Sequence, residues 1–210
     1  MTLQIEDAYL PATLTASPMS DDEFDAFCAQ YPDYFIEMTA EGEILIMPAN
    51  YPMGSARSGE AFKQLSLWND AQRGGIVIDG TGGYVLLSGA RRSPDASWVS
   101  KKQIDALDRR SIERYWHLCP EFVIEVRSKT DRLPKLREKM REWVANGTML
   151  AWLIDPERRA VEVYRPGKEP ETTTGAQNIT AGPPVEGFTL DPDARMGTAR
   201  HFLISQTSET

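Results

Sequence analysis

Apolar side chains recur at the period of an α-helix in three parts of the chain. The pattern predicts helices over residues 20–31, 54–72 and about 131–146. The first helix begins with a capping-box spacing, because Ser20 is followed three residues later by Glu23. The third accommodates Pro134 in its first turn and ends at Asn146-Gly147. Each of these helices is long enough to cover one face of a sheet.

Short β-prone runs, bounded by turn residues, lie between and around these helices. They predict strands at residues 34–38, 43–47, 76–79, 84–87, 95–99, 121–126, 149–154 and 160–164. The first two form a hairpin, and the glycines of segment 80–83 predict that the next three continue as a β-meander. Strand, helix and strand between 121 and 154 imply a right-handed parallel crossover. The chain is therefore predicted to be an α/β protein, with residues 166–184 as a surface loop and a further strand near 201–204.

Length and composition indicate one domain. The 210 residues, 41% of them hydrophobic, can bury most of their surface in a single core. We predict an acidic segment with a helix at 1–33, packed on the same domain, then a main domain at 34–204 and a frayed tail at 205–210. No apolar run approaches the roughly 18 residues of a membrane span, and no signal peptide is evident. We therefore expect a cytoplasmic protein that does not associate with a membrane. Cys28 and Cys119 are expected to be reduced packing residues.

Charge is distributed unevenly along the chain. The net charge is −8, which argues against non-specific coating of nucleic acid. Residues 1–50 contain ten acidic residues and no basic one, whereas residues 127–141 contain seven basic residues and two acidic ones. The basic stretch is either a solvated helix face or a surface that faces nucleic acid. We expect the acidic first 50 residues to lie away from the mouth of the site, which leaves the basic stretch to face nucleic acid.

Two carboxylates fall within predicted strands, at Asp95 and Glu125. A carboxylate in a sheet is costly unless it is paired, hydrogen-bonded or bound to a cation. If the two converge, their oxygens suit Mg²⁺, which keeps several waters and takes further ligands from substrate phosphate. Alternatively, they form structural ion pairs, Asp95 with Arg92 and Glu125 with Arg127 or Arg132. Spacing alone does not decide between these two interpretations.

Four segments together carry a family resemblance. They are SPDASWV (93–99), CPEFVIEVRS (119–128), WLIDP (152–156) and VEVYRPG (161–167). In order and spacing they resemble a bacterial family of restriction-endonuclease-like proteins of unknown function, within the PD-(D/E)xK nuclease superfamily. The resemblance covers roughly residues 36–190. It implies a restriction-endonuclease-like fold, with a mixed sheet flanked by helices, and magnesium-dependent phosphodiester hydrolysis.

The resemblance also assigns candidate residues to that chemistry. Asp95 matches the first acid of the family motif and Glu125 the second. Two residues later, where the superfamily usually has lysine, this chain has Arg127, which stays protonated and is a poor proton acceptor. In this family the lysine role falls on the following helix, at a position matching Lys139, whose long stem can reach the strand ends. Lys129 is a second candidate for that role.

The sequence therefore predicts a metal-dependent endonuclease acting on nucleic acid, DNA rather than RNA. Asp95 and Glu125 would hold Mg²⁺, with Mn²⁺ as a substitute, and Lys139 would stabilise charge on the attacked phosphate. Arg127, Lys129 and Arg132 would contact the nucleic-acid backbone. Glu60 matches an acidic position that sometimes assists the metal, although a solvated helix residue is the preferred interpretation.

Two further expectations concern assembly and the rival function. Five tryptophans in a modest chain, together with the need to cut two strands, predict a homodimer. The alternative function is a nuclease fold kept as a non-catalytic binding or regulatory module, because fold does not fix function and the lysine is displaced.

Overall fold

The computed structural model describes residues 11–17, 19–108, 112–175 and 178–191. The helices are α1 (Asp21–Gln30), α2 (Pro52–Gln72), α3 (Lys101–Asp105) and α4 (Leu133–Ala145). The strands are β1 (Ala12–Thr15), β2 (Phe35–Met38), β3 (Glu43–Met47), β4 (Gly75–Asp79), β5 (Tyr84–Val85), β6 (Arg91–Arg92), β7 (Ala96–Ser100), β8 (Phe122–Val126), β9 (Leu150–Asp155), β10 (Ala160–Tyr164), β11 (Glu171–Thr174), β12 (Ile179–Thr180) and β13 (Thr189–Leu190). None of the described helices is both long enough and apolar enough to cross a bilayer.

A six-stranded mixed sheet forms the centre of the molecule, in the order β11-β10-β9-β8-β7-β4. Strands β8 and β9 run parallel and are joined through α4, whereas the other neighbours are antiparallel. Both faces of β8 are covered, so its side chains alternate between two cores. Phe122 and Ile124 pack with Leu65 of α2, and Val123 packs with Trp143 of α4. Helices α2 and α4 therefore lie on opposite faces of the sheet.

A second, antiparallel sheet has the order β1-β3-β2-β6-β5. Helix α1 begins at the predicted capping box between Ser20 and Glu23, and it covers this small sheet with Phe24, which is fully buried beside Ile36 and Ile46. The residues from 93 to 95 are all that separate β6 from β7. The small sheet and the central sheet therefore meet immediately beside Asp95.

The predicted β-meander is wrong. Strand β4 pairs with β7, not with β5, and β5 pairs with β6 in the small sheet. A Cβ on Gly82 would clash with the side chain of Ile78, and one on Gly83 would clash with the ring of Tyr115. These glycines therefore provide close packing where the chain passes from one sheet to the other, and they do not form a hairpin turn.

Other boundaries also differ from the prediction. Segment 166–184 is not wholly a loop, because β11 extends the central sheet at β10 and β12 pairs with β13. Strand β1 pairs with β3 and is absent from the prediction, although Ala12 and Leu14 alternate with Thr13 and Thr15 at the period of a strand. Helix α2 ends with Arg73 in a left-handed conformation (φ 55°), one residue before the predicted glycines. The predicted strand at 201–204 and the tail at 205–210 lie outside the described residues.

Candidate active site

Asp95 and Glu125 are brought together by the pairing of two antiparallel strands. The ladder between β7 and β8 pairs Ala96 with Ile124, so continuing it by one residue places Asp95 opposite Glu125. Directly opposed residues have Cβ atoms about 5 Å apart. Strand alternation turns Glu125 to the same face as Val123, towards α4. The two acids predicted from sequence are therefore cross-strand neighbours at one end of the central sheet.

Lys139 of α4 completes this group. Its Nζ lies 2.8 Å from Oε1 of Glu125 and 2.9 Å from Oε1 of Glu37, and it donates to the carbonyl oxygen of Ser93 at 3.3 Å. The neighbouring residue Met140 is fully buried against the sheet, which fixes the rotation of the helix and directs Lys139 to the strand ends. The displaced lysine thus reaches the carboxylates across a helix–sheet interface.

The carboxylates also accept hydrogen bonds that fix their orientation. The N–H of Val126 donates to Oδ2 of Asp95 at 2.7 Å, and Nε1 of Trp143 donates to Oε1 of Glu125 at 3.1 Å. Glu125 is buried, whereas Asp95 is half-buried.

Glu37 was not among the predicted site residues. It lies on β2, it is 4% exposed, and it bonds Lys139 directly. One of the acidic first 50 residues therefore contributes to the buried side of the site, whereas the expectation concerned its mouth. A signal was present in the sequence: Glu37 follows Phe35 and Ile36 in an apolar strand, where an unpaired carboxylate would be costly.

Burial sets the protonation of the two opposed carboxylates. Desolvation raises the pKa of Asp95 to about 6 and the pKa of Glu125 to about 7, although the charge of Lys139 acts in the opposite direction on both. Each carboxylate is further disfavoured by negative neighbours, including Glu37. Protons therefore compete for this pair near neutral pH, in contrast to ordinary surface acids.

The other members of the group remain charged. Burial would raise the pKa of Glu37, but the charges of Lys139 and Arg92 hold it below its ordinary value. Burial would lower the pKa of Lys139, but the charges of Glu125 and Glu37 more than offset this and raise it. Lys139 is consequently an ammonium ion at neutral pH, and it cannot act as a general base in this arrangement.

The charge balance of the group suits a divalent cation. The acids are Asp95, Glu125, Glu37 and Glu142, and the cations are Lys139 and Arg92. When every member is ionised, the acids exceed the cations by two charges, and Asp131 adds further negative charge near Asp95. One divalent ion would balance that excess.

The donor set also fits magnesium. Within the described residues, Oδ1 of Asp95 and Oε2 of Glu125 accept no hydrogen bond, so one oxygen of each acid remains for a metal. Among the residues that the structure describes, no group of three or more His, Cys, Asp or Glu side chains is arranged to hold a metal. Mg²⁺ does not require one, since one or two carboxylates with waters and substrate phosphate suffice.

The alternative ion pairs through arginine do not form. Arg92 bonds Glu37 at 3.1 Å and Glu142 at 2.7 Å, not Asp95. Arg127 is held by Asp155 at 2.8 Å, so it is not the partner of Glu125. Arg132 is exposed at the beginning of α4. The cation beside Glu125 is Lys139.

The remaining candidates lie outside this group. Lys129 is exposed in the turn that follows β8, so it does not take the place of Lys139 beside the acids. Glu60 lies on α2, which packs on the opposite face of the sheet, and it bonds Lys63 and Gln64. Glu60 is thus a buried member of a helix-surface network, and it is not a solvated residue.

Comparison with known families agrees with this architecture. The model of the Uma2 family, described as "Putative restriction endonuclease", matches residues 21–193. The chain belongs to the Uma2 family. The predicted family is confirmed, and its description supports a nuclease in general terms. Restriction-endonuclease-like families generally use divalent metal ions.

A solved structure shows the same fold. A protein described as "a putative nuclease belonging to DUF820 from Anabaena variabilis" is similar with a TM-score of 0.67 and 23% sequence identity, over 80% of this chain and 91% of that chain. At this identity the likeness establishes the fold alone, and it confirms the predicted α/β class with a nuclease-like mixed sheet. No curated protein matches the chain.

Proposed function

We propose that this Uma2 protein is a divalent-metal-dependent endonuclease that hydrolyses phosphodiester bonds in DNA. The observation that carries the proposal is the meeting of Asp95, Glu125 and Lys139, from two strands and a helix, at one end of the sheet. Neighbouring negative charges and a lone ammonium group are the elements of a phosphoryl-transfer site. The family description, which names restriction endonucleases, supports DNA rather than RNA.

Asp95 and Glu125 would hold Mg²⁺, and Mn²⁺ could replace it. When bound, such an ion polarises the phosphodiester and lowers the pKa of an attacking water. The indole N–H of Trp143 donates a hydrogen bond to Glu125, and the backbone N–H of Val126 donates one to Asp95. Both carboxylates are therefore oriented before any ligand arrives, which reduces the cost of ordering them on binding.

Lys139 would contribute positive charge beside the reacting phosphate. Its three N–H donors face Glu125, Glu37 and the carbonyl oxygen of Ser93, and the last of these distances is the longest at 3.3 Å. A direct contact with phosphate would replace that weakest bond and keep both carboxylate contacts. Held this way, the ammonium group would stabilise negative charge as it develops.

Exposed cations near the site would position the DNA backbone. Lys129 and Arg132 lie in the segment directly after β8, the strand that carries Glu125, and both are exposed. Arg127 of the same segment forms an ion pair with the buried Asp155. Its proposed contact with the DNA backbone would therefore use only those guanidinium N–H groups that Asp155 does not bind. Such contacts fix the register of DNA without reading its sequence.

The proposal is tested by combining a cleavage assay with calorimetry. We expect nicking or linearisation of a supercoiled plasmid with Mg²⁺ or Mn²⁺ and none with EDTA, together with one Mg²⁺ bound per chain. A wild-type protein that neither binds Mg²⁺ nor cuts DNA would be a non-catalytic binding or regulatory module instead.

The pH dependence of metal binding provides a further prediction. Protons compete with Mg²⁺ for Asp95 and Glu125, whose pKa values are raised to about 6 and about 7. Binding should therefore weaken as pH falls through 7 and then through 6, by roughly 100-fold between pH 8.0 and 5.5 for simple competition at both sites. Calorimetric titration with Mg²⁺ at several pH values measures this. An affinity that is flat over this range would indicate carboxylates of ordinary pKa.

Salt dependence tests the proposed DNA surface. Each phosphate contact contributes about 0.9 to the slope of log affinity against log salt. Replacing both Lys129 and Arg132 by Ala should lower that slope by roughly 2, because two contacts are lost. Fluorescence anisotropy with a short duplex in EDTA measures the slope without cleavage.

A matched double variant uses Lys102 and Lys168, which are exposed at the other end of the central sheet. Replacing these two lysines removes the same charge from the molecule, and we expect the slope to stay at the wild-type value. Equal slopes for the two double variants would contradict the proposed surface.

We also propose a homodimer, because one metal site cuts one strand at a time. The tryptophans no longer support this, since they pack within one chain: Trp98, Trp143 and Trp152 are buried, and the others pack against the same cores. Light scattering at tens of micromolar should give twice the 23.6 kDa chain mass. A mass of one chain at that concentration would remove this proposal.

A further inference from the structure

The hydrogen bonds of Glu37 occupy both of its carboxylate oxygens. Oε1 accepts from Nζ of Lys139 at 2.9 Å and from the N–H of Ser93 at 3.0 Å, and Oε2 accepts from Nη1 of Arg92 at 3.1 Å. Two cationic groups and a backbone amide thus surround a carboxylate that is 4% exposed. With its oxygens used in this way, Glu37 is not placed to serve as a third metal ligand.

These contacts form a closed ring with helix α4. Arg92 bonds Glu37 through one nitrogen, and through Nε it bonds Glu142 at 2.7 Å. Glu142 lies three residues after Lys139, almost one helical turn away on the same face. The ring therefore runs from Lys139 through Glu37, Arg92 and Glu142 back to α4, and it joins the small sheet to the helix that carries the lysine.

We propose that Glu37 is a positioning residue that holds the ammonium group of Lys139 beside Glu125. Without Glu37, Lys139 could turn fully onto Glu125 and occupy both of its oxygens. With Glu37, the lysine is shared, and Oε2 of Glu125 stays available. The bond to the N–H of Ser93 also fixes the segment that leads into Asp95. The contribution of Glu37 to cleavage rests on the proposed function, whereas its effect on the position of Lys139 does not.

The position of Glu37 also shows why an acid is needed there. Ile36 and Met38 point to the other face of β2, in the core under α1, whereas Glu37 is itself only 4% exposed. An apolar residue at this buried position would avoid the desolvation cost of a carboxylate. A buried carboxylate is tolerated because two cations and an amide compensate it. An acid at this position therefore serves the placement of Lys139 and of the Asp95 segment better than it serves packing.

The first test measures the reactivity of Lys139 and does not depend on nuclease activity. Amine acetylation, followed by peptide mass spectrometry, gives the labelling rate of each lysine in the intact folded protein. Glu37→Gln should raise the rate at Lys139 by about 10-fold, because a charge-assisted bond is lost. Exposed Lys129 provides an internal reference, and Glu43→Gln, an exposed acid on the same hairpin, is the matched control. An unchanged rate at Lys139 would overturn the proposal.

A shorter acid covers the case in which Glu37→Gln does not fold. Glu37→Asp keeps the charge, but its carboxylate cannot reach Lys139, Arg92 and Ser93 together. We expect labelling of Lys139 between the wild-type rate and the rate expected for Gln. Labelling of this variant at the wild-type rate would also overturn the proposal.

The second test asks whether Glu37 acts through Lys139. Cleavage rates are compared for wild type, Glu37→Gln, Lys139→Ala and the double variant. Glu37→Gln should lower the rate about 10-fold in the wild-type background and have little effect once Lys139 is absent. An equal loss in both backgrounds would mean a general structural role or a metal ligand, and it would refute the positioning role. Absence of cleavage in wild type would remove the proposed function, and the labelling result would still decide the placement of Lys139.

Discussion

Glu125→Gln should lower Mg²⁺-dependent DNA cleavage by ~100-fold or more and weaken Mg²⁺ binding in calorimetry. The substitution removes one of the two opposed negative charges that are proposed to hold the metal. Gln is a better choice than Ala, because Nε1 of Trp143 donates to Glu125 at 3.1 Å and the amide oxygen can still accept that bond. An unpaired indole N–H in the core would otherwise confuse loss of function with loss of stability.

Folding of this variant should be nearly unaffected. Burial raises the pKa of Glu125 to about 7, so at pH 8 the folded protein carries an ionised group that would be more stable in water. Gln removes that penalty and also removes the pairing with Lys139, and the two effects oppose each other. We therefore expect a melting temperature close to that of wild type.

The matched control is Glu60→Gln, which neutralises another buried carboxylate on the opposite face of the sheet. Its partners are Lys63 and Gln64, and we expect cleavage and Mg²⁺ binding at the wild-type level. Cleavage by Glu125→Gln at the wild-type rate would contradict the proposed site. An equal loss in Glu60→Gln would instead assign Glu60 the assisting role that the sequence resemblance allows.

The sequence predicts the site correctly where the elements that carry its residues follow one another along the chain and also pack together. Asp95 directly precedes β7, Glu125 is the second-last residue of β8, and apolar runs mark both strands clearly. Lys139 lies on the next helix, where its offset from Trp143 places it on the flank of the packed face. These three positions follow from local periodicity together with the family motif, and the structure brings them together.

Glu37 could not be placed in the same way. It reaches the site because β2 pairs with β6, and β6 is a strand of two residues without any periodic pattern. The same limitation explains the wrong meander. The glycines at 80–83 have the composition of a hairpin turn, whereas their conformation depends on the ring of Tyr115, about 30 residues later in the chain. Both features are decided by distant contacts, and the local signal at Glu37, an acid in an apolar strand, does not identify its partners.

Arg127 shows a third kind of limit. It follows Glu125 by two residues, so strand alternation would direct it to the same face as the acid. The parallel neighbour β9 ends in the buried Asp155, which takes the guanidinium at 2.8 Å. Which of two nearby acids binds an arginine depends on the relative register of strands, and sequence spacing does not contain that information.

Lys139→Ala should separate catalysis from metal binding. We expect Mg²⁺ still to bind at pH 8, because Asp95 and Glu125 are both retained, and we expect the cleavage rate to fall ~100-fold, as for loss of one group that stabilises transition-state charge. The variant is best measured well above pH 7, since loss of the ammonium group leaves Glu125 and Glu37 facing each other without a shared cation. Single-turnover cleavage and calorimetry on the same preparation give both quantities.

Lys129→Ala is the matched control, because it removes a lysine that is exposed in the turn after β8 and does not pair with the acids. It should weaken DNA binding slightly and leave the single-turnover rate unchanged. If Lys129→Ala lowers the rate as much as we expect for Lys139→Ala, the lysine role belongs to the turn. If Lys139→Ala instead loses Mg²⁺ binding and cleavage together, then Lys139 serves only to hold Glu125 in place. Retention of both properties would show that the ammonium group contributes nothing to the reaction, and that the metal and its two carboxylates act alone.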